Sequence, residues 1–187
     1  MHFDKAAVAQ ALAEYSFSPD NERFLRYWLS LWTEDGAPVA GAPLDTDGVL
    51  RNCVTFSVRA SGSVRVTHVG EAIVAGLGRS FENTDFMLLA QSDNRDVRLE
   101  RFTRTAAGTL FRYRRRAVRL DGRAVLLEEI AAPLGPPSPQ VRQTVTHVDI
   151  SALRPSGRVR PTPELLDTVE LAEPLLDLRD FRREFTP

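Results

Sequence analysis

Two periodicities divide the chain. Apolar residues first recur at helical spacing. Val8, Leu12 and Tyr15 follow Asp4, which can cap a short helix. In SPDNERFLRYWLSLWTEDG, Ser18 is placed to cap a second helix with Pro19 at its first position. Phe24, Leu25, Trp28, Leu31 and Trp32 then fall on one stripe, and Asp35-Gly36 ends it. From Asn52 the period shortens to two. Asn52–Arg59 and Ser63–His68 read as strands of a hairpin turning at Ala60-Ser61-Gly62. A short helix over Glu71–Leu77 and a longer one over Ser92–Thr105 follow. Val97, Leu99 and Phe102 are the apolar members of the longer helix, and Gly108 closes it. Thr109–Leu120 and Arg123–Ala131 then form a second hairpin about Asp121-Gly122. Pro133–Pro139 makes a longer connection, and Val141–Ile150 is the last strand. Five strands joined by short links, with helices between the second and third, predict an α+β fold with an antiparallel sheet.

This pattern sets three segments: an N-terminal helical segment at 1–36, a core at 37–152 that opens with the loop APVAGAPLDTDG, and a C-terminal extension at 153–187. The extension is rich in proline and alternating charge. It is expected to lack a core of its own, to carry a helix over Glu164–Leu171, and to pack on the body or dock on a partner.

Composition narrows the function classes. A 187-residue chain that is 43% hydrophobic and 26% charged can bury a sizeable core. A net charge of −1 gives no global attraction to nucleic acid or an anionic membrane. Lys5 is the only lysine among 24 basic residues. A single cysteine, Cys53, excludes an internal disulfide and a cysteine-rich zinc site. The start lacks the pattern of a signal peptide, and no apolar run reaches the ~18 residues that span a bilayer. The expectation is a cytoplasmic protein without membrane insertion.

The glycines of VTHVGEAIVAGLGRSFENTDF invite a nucleotide reading, which fails on spacing. A phosphate loop ending on Gly78 needs glycine at 73 and lysine at 79, where the chain has Ile73 and Arg79. A dinucleotide fingerprint from Gly76 and Gly78 needs glycine at 81, where Phe81 stands. Strand, turn at Gly70, short helix and loop describe the stretch better. With RFLRYWLSLW before it and LLEEIAAPLG after it, this stretch resembles the PAS domain, specifically a small PAS-like group common in alphaproteobacteria. In that group Thr or Ser usually follows the glycine and a second glycine lies near 84. Here Glu71 and Thr84 occupy those positions. The resemblance spans Phe24–Ile150 and implies a five-stranded antiparallel sheet in the order 2-1-5-4-3, flanked by short helices. It also implies a sensory or protein-interaction module, often a homodimer, with a small cavity between helices and sheet.

Under that resemblance the cavity-lining candidates are Phe56, Val66, His68, Ile73, Leu77, Phe102 and Tyr113. Phe24, Tyr27, Trp28, Leu31 and Trp32 are the candidates for a dimer or partner surface, with the tail residues Leu165, Leu166, Leu175 and Leu176. Having no kinase, cyclase or DNA-binding output in this sequence, the module is expected to act on another signalling protein, such as a histidine kinase. The ligand and any cofactor are not specified.

Other chemistry is sparse. Asn52-Cys53 is similar to the pair of flavin photosensors but stands at a strand and is followed by Val-Thr, so Cys53 is expected to be a buried small group. The helix before the third strand carries no haem-ligating histidine. His2, His68 and His147 lack metal-ligand spacing, and His68 and His147 could meet only if their strands neighbour. Arg112, Arg114 and Arg116 alternate with Phe111, Tyr113 and Arg115. They suit a solvated face paired with Glu128 and Glu129, or an acidic partner. Asp93, Asp96 and Glu100 read as a charged helix face. No catalytic set emerges, and an enzyme is not expected. The rival reading is a small-molecule carrier or enzyme that holds an acidic substrate with the sheet cavity and Arg115.

Overall fold

A computed structural model describes residues 2–39, 48–77, 80–88, 95–118, 124–134, 141–149 and 169–182. Helix α1 spans Lys5–Leu12, and the Asp4 carboxylate accepts from the Ala7 N–H at 3.1 Å. Helix α2 spans Pro19–Ser30, with the Ser18 hydroxyl accepting from the Asn21 N–H at 3.3 Å. Both caps satisfy amide groups that the first helical turn leaves without partners. Strands β1 (Cys53–Arg59) and β2 (Val64–Val69) form the first hairpin. Helices α3 (Glu71–Leu77) and α4 (Arg95–Ala107) separate it from β3 (Thr109–Val118), β4 (Ala124–Leu134), β5 (Val141–Val148) and β6 (Val169–Asp177).

The six strands form one antiparallel sheet in the order β2-β1-β5-β4-β3-β6. The sequence predicts five. The sixth comes from the C-terminal extension, where 169–171, expected to be helical, open β6 instead. Residues 164–168 lie outside those described, as does the Asp121-Gly122 turn. Strand β6 contains Pro174 and two bulges against β3, at Leu110/Phe111 and Arg114/Arg115. It is the edge strand, where a missing N–H leaves no internal ladder bond unmade.

Strand β4 is also longer than its sequence pattern, continuing through Pro133. Its pairing with β3 stops at Ala131, so Pro133 faces only β5, through Thr144. Its carbonyl accepts from the indole N–H of Trp28 at 2.7 Å.

Both faces of the sheet are covered. On one, α1 and α2 bury Phe3, Phe24, Trp28 and Trp32 against Cys53, Leu110, Ile130, Ala132 and Val145. The opposite face packs Val54, Phe56, Val64, Val66 and Val148 with Ile73, Met87 and Ala106 from the intervening helices. Alternate residues of β3 and β4 thus enter different cores, with Leu110 in the first and Phe111 and Ala131 in a cluster opposite. Leu175 and Leu178 of the C-terminal segment belong to the same core as α1 and α2, so the two ends of the chain share one apolar layer.

Gly70 makes the sharp turn from β2 into α3. A Cβ there would lie 2.2 Å from the Arg51 carbonyl oxygen and 2.3 Å from that of Leu50. The free edge of β2 is covered by the loop that follows α3. Val66 N–H donates to Thr84 at 3.0 Å, and Asn83 N–H donates to Val66 at 2.9 Å. Such cover removes an edge open to strand addition.

Candidate functional site

Among the described residues two constellations are candidates for a site, one on each side of the sheet. Beneath α3 and α4, Phe56, Phe86 and Phe102 meet edge to face at 4.8–5.6 Å between ring centres. Val66 and Ile73 are buried in the same cluster. Four of the seven cavity candidates, Phe56, Val66, Ile73 and Phe102, therefore come together.

The other three do not join them. Tyr113 stacks on Phe111 in a separate cluster nearer the β6 edge. His68 is corrected from a cavity position to a half-exposed one, its Nδ1 3.4 Å from the Glu82 carboxylate. Glu82 also accepts from the Val69 N–H at 2.9 Å and so ties the loop to β2. Leu77 ends α3, and its side chain is outside those described.

Thr144 adds a polar group to this layer that the sequence did not single out. It pairs in register with Phe56, which puts the two side chains on one face. Its hydroxyl is buried, the residue being 1% exposed, and finds no hydrogen-bond partner among the described residues. A buried hydroxyl without a partner forfeits about 1–3 kcal/mol relative to a satisfied one.

On the opposite face, a polar chain joins α2 to the sheet. Asn21 is fully buried in the first turn of α2. Its Nδ2 donates to Glu128 Oε1 at 2.8 Å, and its Oδ1 lies 2.7 Å from His147 Nδ1. Because the carboxylate can only accept, Asn21 presents its amide nitrogen to Glu128 and its oxygen to His147. The histidine therefore carries its proton on Nδ1. Phe24 stacks on the imidazole at 5.0 Å. Glu128 continues outward to Arg114 at 3.9 Å, the two side chains being 19% and 41% exposed. Burial depresses the His147 pKa from 6.5 to about 4, partly opposed by the negative charges of Asp149 and Asp20.

Asn21 was legible in principle. It stands three, four, seven and eleven residues before Phe24, Leu25, Trp28 and Trp32, a polar residue in an apolar stripe. His147 likewise alternates with Val145 on a buried face. His68 and His147 do not meet, since β1 lies between β2 and β5. Cys53 is buried and its thiol faces the Val49 carbonyl at 3.4 Å.

The surface proposed from the α2 stripe requires correction. Phe24, Tyr27, Trp28 and Trp32 are buried within this chain, and Leu31 packs partly buried against them. Their partner is the face of the sheet that carries Cys53, Leu110, Ile130 and Val145. Leu175 is buried and Leu176 partly so, while Leu165 and Leu166 lie outside the described residues.

The described arginines of β3, Arg112 and Arg114, are engaged. Arg112 donates through Nε and Nη2 to Glu173 of β6 at 3.2 and 2.7 Å, and through Nη1 to the Ser16 carbonyl at 3.1 Å. The Arg115 and Arg116 side chains are outside those described. Among the described residues no cluster of three metal-ligating side chains occurs, and no helix is long and apolar enough to cross a membrane. Neither a protein-family model nor a curated protein sequence matches the chain.

Proposed function

We propose that the chain is a PAS-type sensory or regulatory module that acts through protein–protein contact in signal transduction. A small ligand would sit between the sheet and the α3–α4 layer. The observation that carries this reading is the strand order. Strands β2-β1-β5-β4-β3 run consecutively across the sheet, and α3 and α4 are inserted between β2 and β3 on one face. That is the layout implied by the resemblance of VRVTHVGEAIVAGLGRSFENTD, with β6 as an addition at the edge. The Thr144 hydroxyl beside Phe56, without a partner among the described residues, supports a ligand that offers it a polar atom. A homodimer and a cytoplasmic signalling partner such as a histidine kinase belong to the same proposal, with α2 excluded as the contact because its apolar stripe is already buried.

The carrier or enzyme alternative turns on Arg115, whose side chain lies outside those described. The described arginines of β3 that it would use, Arg112 and Arg114, face Glu173 and Glu128. The test is native mass spectrometry of freshly purified protein, with an absorbance scan of the same sample, repeated on Thr144→Val. A retained small molecule that the variant loses supports a sensor. A dimer of bare mass supports the protein-contact half of the proposal. A monomer of bare mass across the micromolar range refutes the reading.

A further inference from the structure

One flank of α4 presents guanidinium groups that form no ion pair among the described residues. Val97, Arg101 and Arg104 recur at i, i+4 and i+7, so they share a stripe; Asp96 is turned away from it, and Glu100 borders it one turn before Arg104. The Arg101 guanidinium carbon lies 5.9 Å from the Tyr113 ring centre, and that of Arg104 lies 5.1 Å from that of Phe111. The two rings are themselves nearly parallel, at 12° and 5.9 Å. Arg104 is exposed and Arg101 half-buried, and Val97 is 44% exposed. Neither arginine forms an ion pair among the described residues. By contrast, Arg23, Arg26, Arg51, Arg112, Arg114 and Arg179 each face a carboxylate.

The stacking has a consequence for recognition. A guanidinium held over an aromatic ring has already lost part of its rotamer freedom, and its N–H edge stays available to a planar carboxylate. Such charge-assisted pairs are stronger than neutral hydrogen bonds. Side chains three apart on a helix are about 5–6 Å apart at Cβ. Alternate residues of an extended strand, at about 3.3 Å per residue, project on one side about 7 Å apart. The two spacings are close enough for two arginines to meet two carboxylates of an extended segment. The exposed Val97 on the same stripe suits the apolar side chains of a protein better than a phosphate backbone.

We propose that the Val97–Arg101–Arg104 flank of α4 is a docking surface for an extended acidic segment of a partner protein, read by the two ring-supported guanidinium groups. The proposal rests on the proposed function only in taking the partner to be a protein. Peptide binding is measured independently of oligomeric state, so a bare monomer in the native spectrum leaves it standing, and its failure leaves the ligand reading standing.

The test uses fluorescence anisotropy with a fluorescein-labelled octapeptide of alternating Glu and Ser and the full-length protein. The wild type is expected to bind at low salt and weaken as salt rises. The Arg101→Gln/Arg104→Gln variant should lose about tenfold in affinity or more. Arg101→Lys/Arg104→Lys keeps the charge and guards against a folding artefact. It should recover only part of that loss, because an ammonium cannot make the bidentate contact. Arg23→Gln/Arg26→Gln removes the same charge from α2 and should bind as the wild type does. Absence of wild-type binding at low salt overturns the proposal, as does an equal loss in the α2 variant. Tighter binding of an oligothymidylate of the same charge also overturns it, in favour of nucleic acid.

Discussion

Replacing Asn21 by alanine tests whether the polar chain between α2 and the sheet stabilises the fold. The substitution leaves the Ser18 cap intact, since that bond uses the backbone N–H of residue 21. It removes the acceptor 2.7 Å from His147 Nδ1 and the donor 2.8 Å from Glu128 Oε1. His147 is 2% exposed and cannot recruit water in place of the lost amide, so its N–H is left unsatisfied at about 1–3 kcal/mol. Glu128, with its side chain 19% exposed, recovers part of its hydration and contributes roughly 1 kcal/mol. The expected loss is about 2–4 kcal/mol. In a urea titration with a slope of about 2 kcal/mol per molar, the midpoint should fall by about 1–2 M with the slope unchanged. Asn21→Asp separates the two bonds. Its carboxylate can still accept from His147 but confronts Glu128 with like charge. It should be less stable than the alanine variant at neutral pH and gain on it under acid. A loss below about 0.5 kcal/mol in Asn21→Ala would refute the reasoning, because it would mean that neither partner depends on the amide.

Three further outcomes follow from the geometry. Burial favours the neutral form of His147, so the folded state resists a proton that the unfolded chain accepts below pH 6.5. The contribution of His147 is full above pH 6.5 and is lost as pH falls to about 4, by about 3 kcal/mol in total. Denaturation at a series of pH values should show this slope in the wild type, and less of it in His147→Gln. Gly70→Ala places a Cβ 2.2 Å from a backbone oxygen that cannot rotate away, so a loss of about 3 kcal/mol or more is expected on thermal melting, or no soluble protein. Arg112→Met removes the link between β3, Glu173 and the Ser16 carbonyl; hydrogen exchange should rise in β6 and the α1–α2 connection while β1 and β2 stay protected.

Features written in neighbouring residues were legible in the sequence. Ser18-Pro19 marks the start of α2, and Gly70 followed by Glu71–Leu77 gives both ends of α3. Strand β6 was hidden because its pattern is irregular for a physical reason. Two bulges break the alternation that marks a strand, and Pro174 argues against one unless the strand is known to lie at an edge. Pro133 misled in the same way: whether it ends β4 depends on how far β3 pairs alongside, which only the register decides.

The polar chain needed a different kind of information. Asn21, Glu128 and His147 lie on three elements more than a hundred residues apart in sequence from α2 to the sheet. No local spacing connects them. The stripe of α2 predicts burial but not position, because apolar contacts are non-directional and a helix shifted by one turn would still bury most of its rings. Hydrogen bonds are directional. Asn21 can reach both the Glu128 carboxylate and the His147 imidazole only when the first turn of α2 sits over β4 and β5, and two turns further on Trp28 meets the Pro133 carbonyl. The aromatic stripe therefore supplies most of the attraction between α2 and the sheet, and the amide and the indole decide where the helix rests.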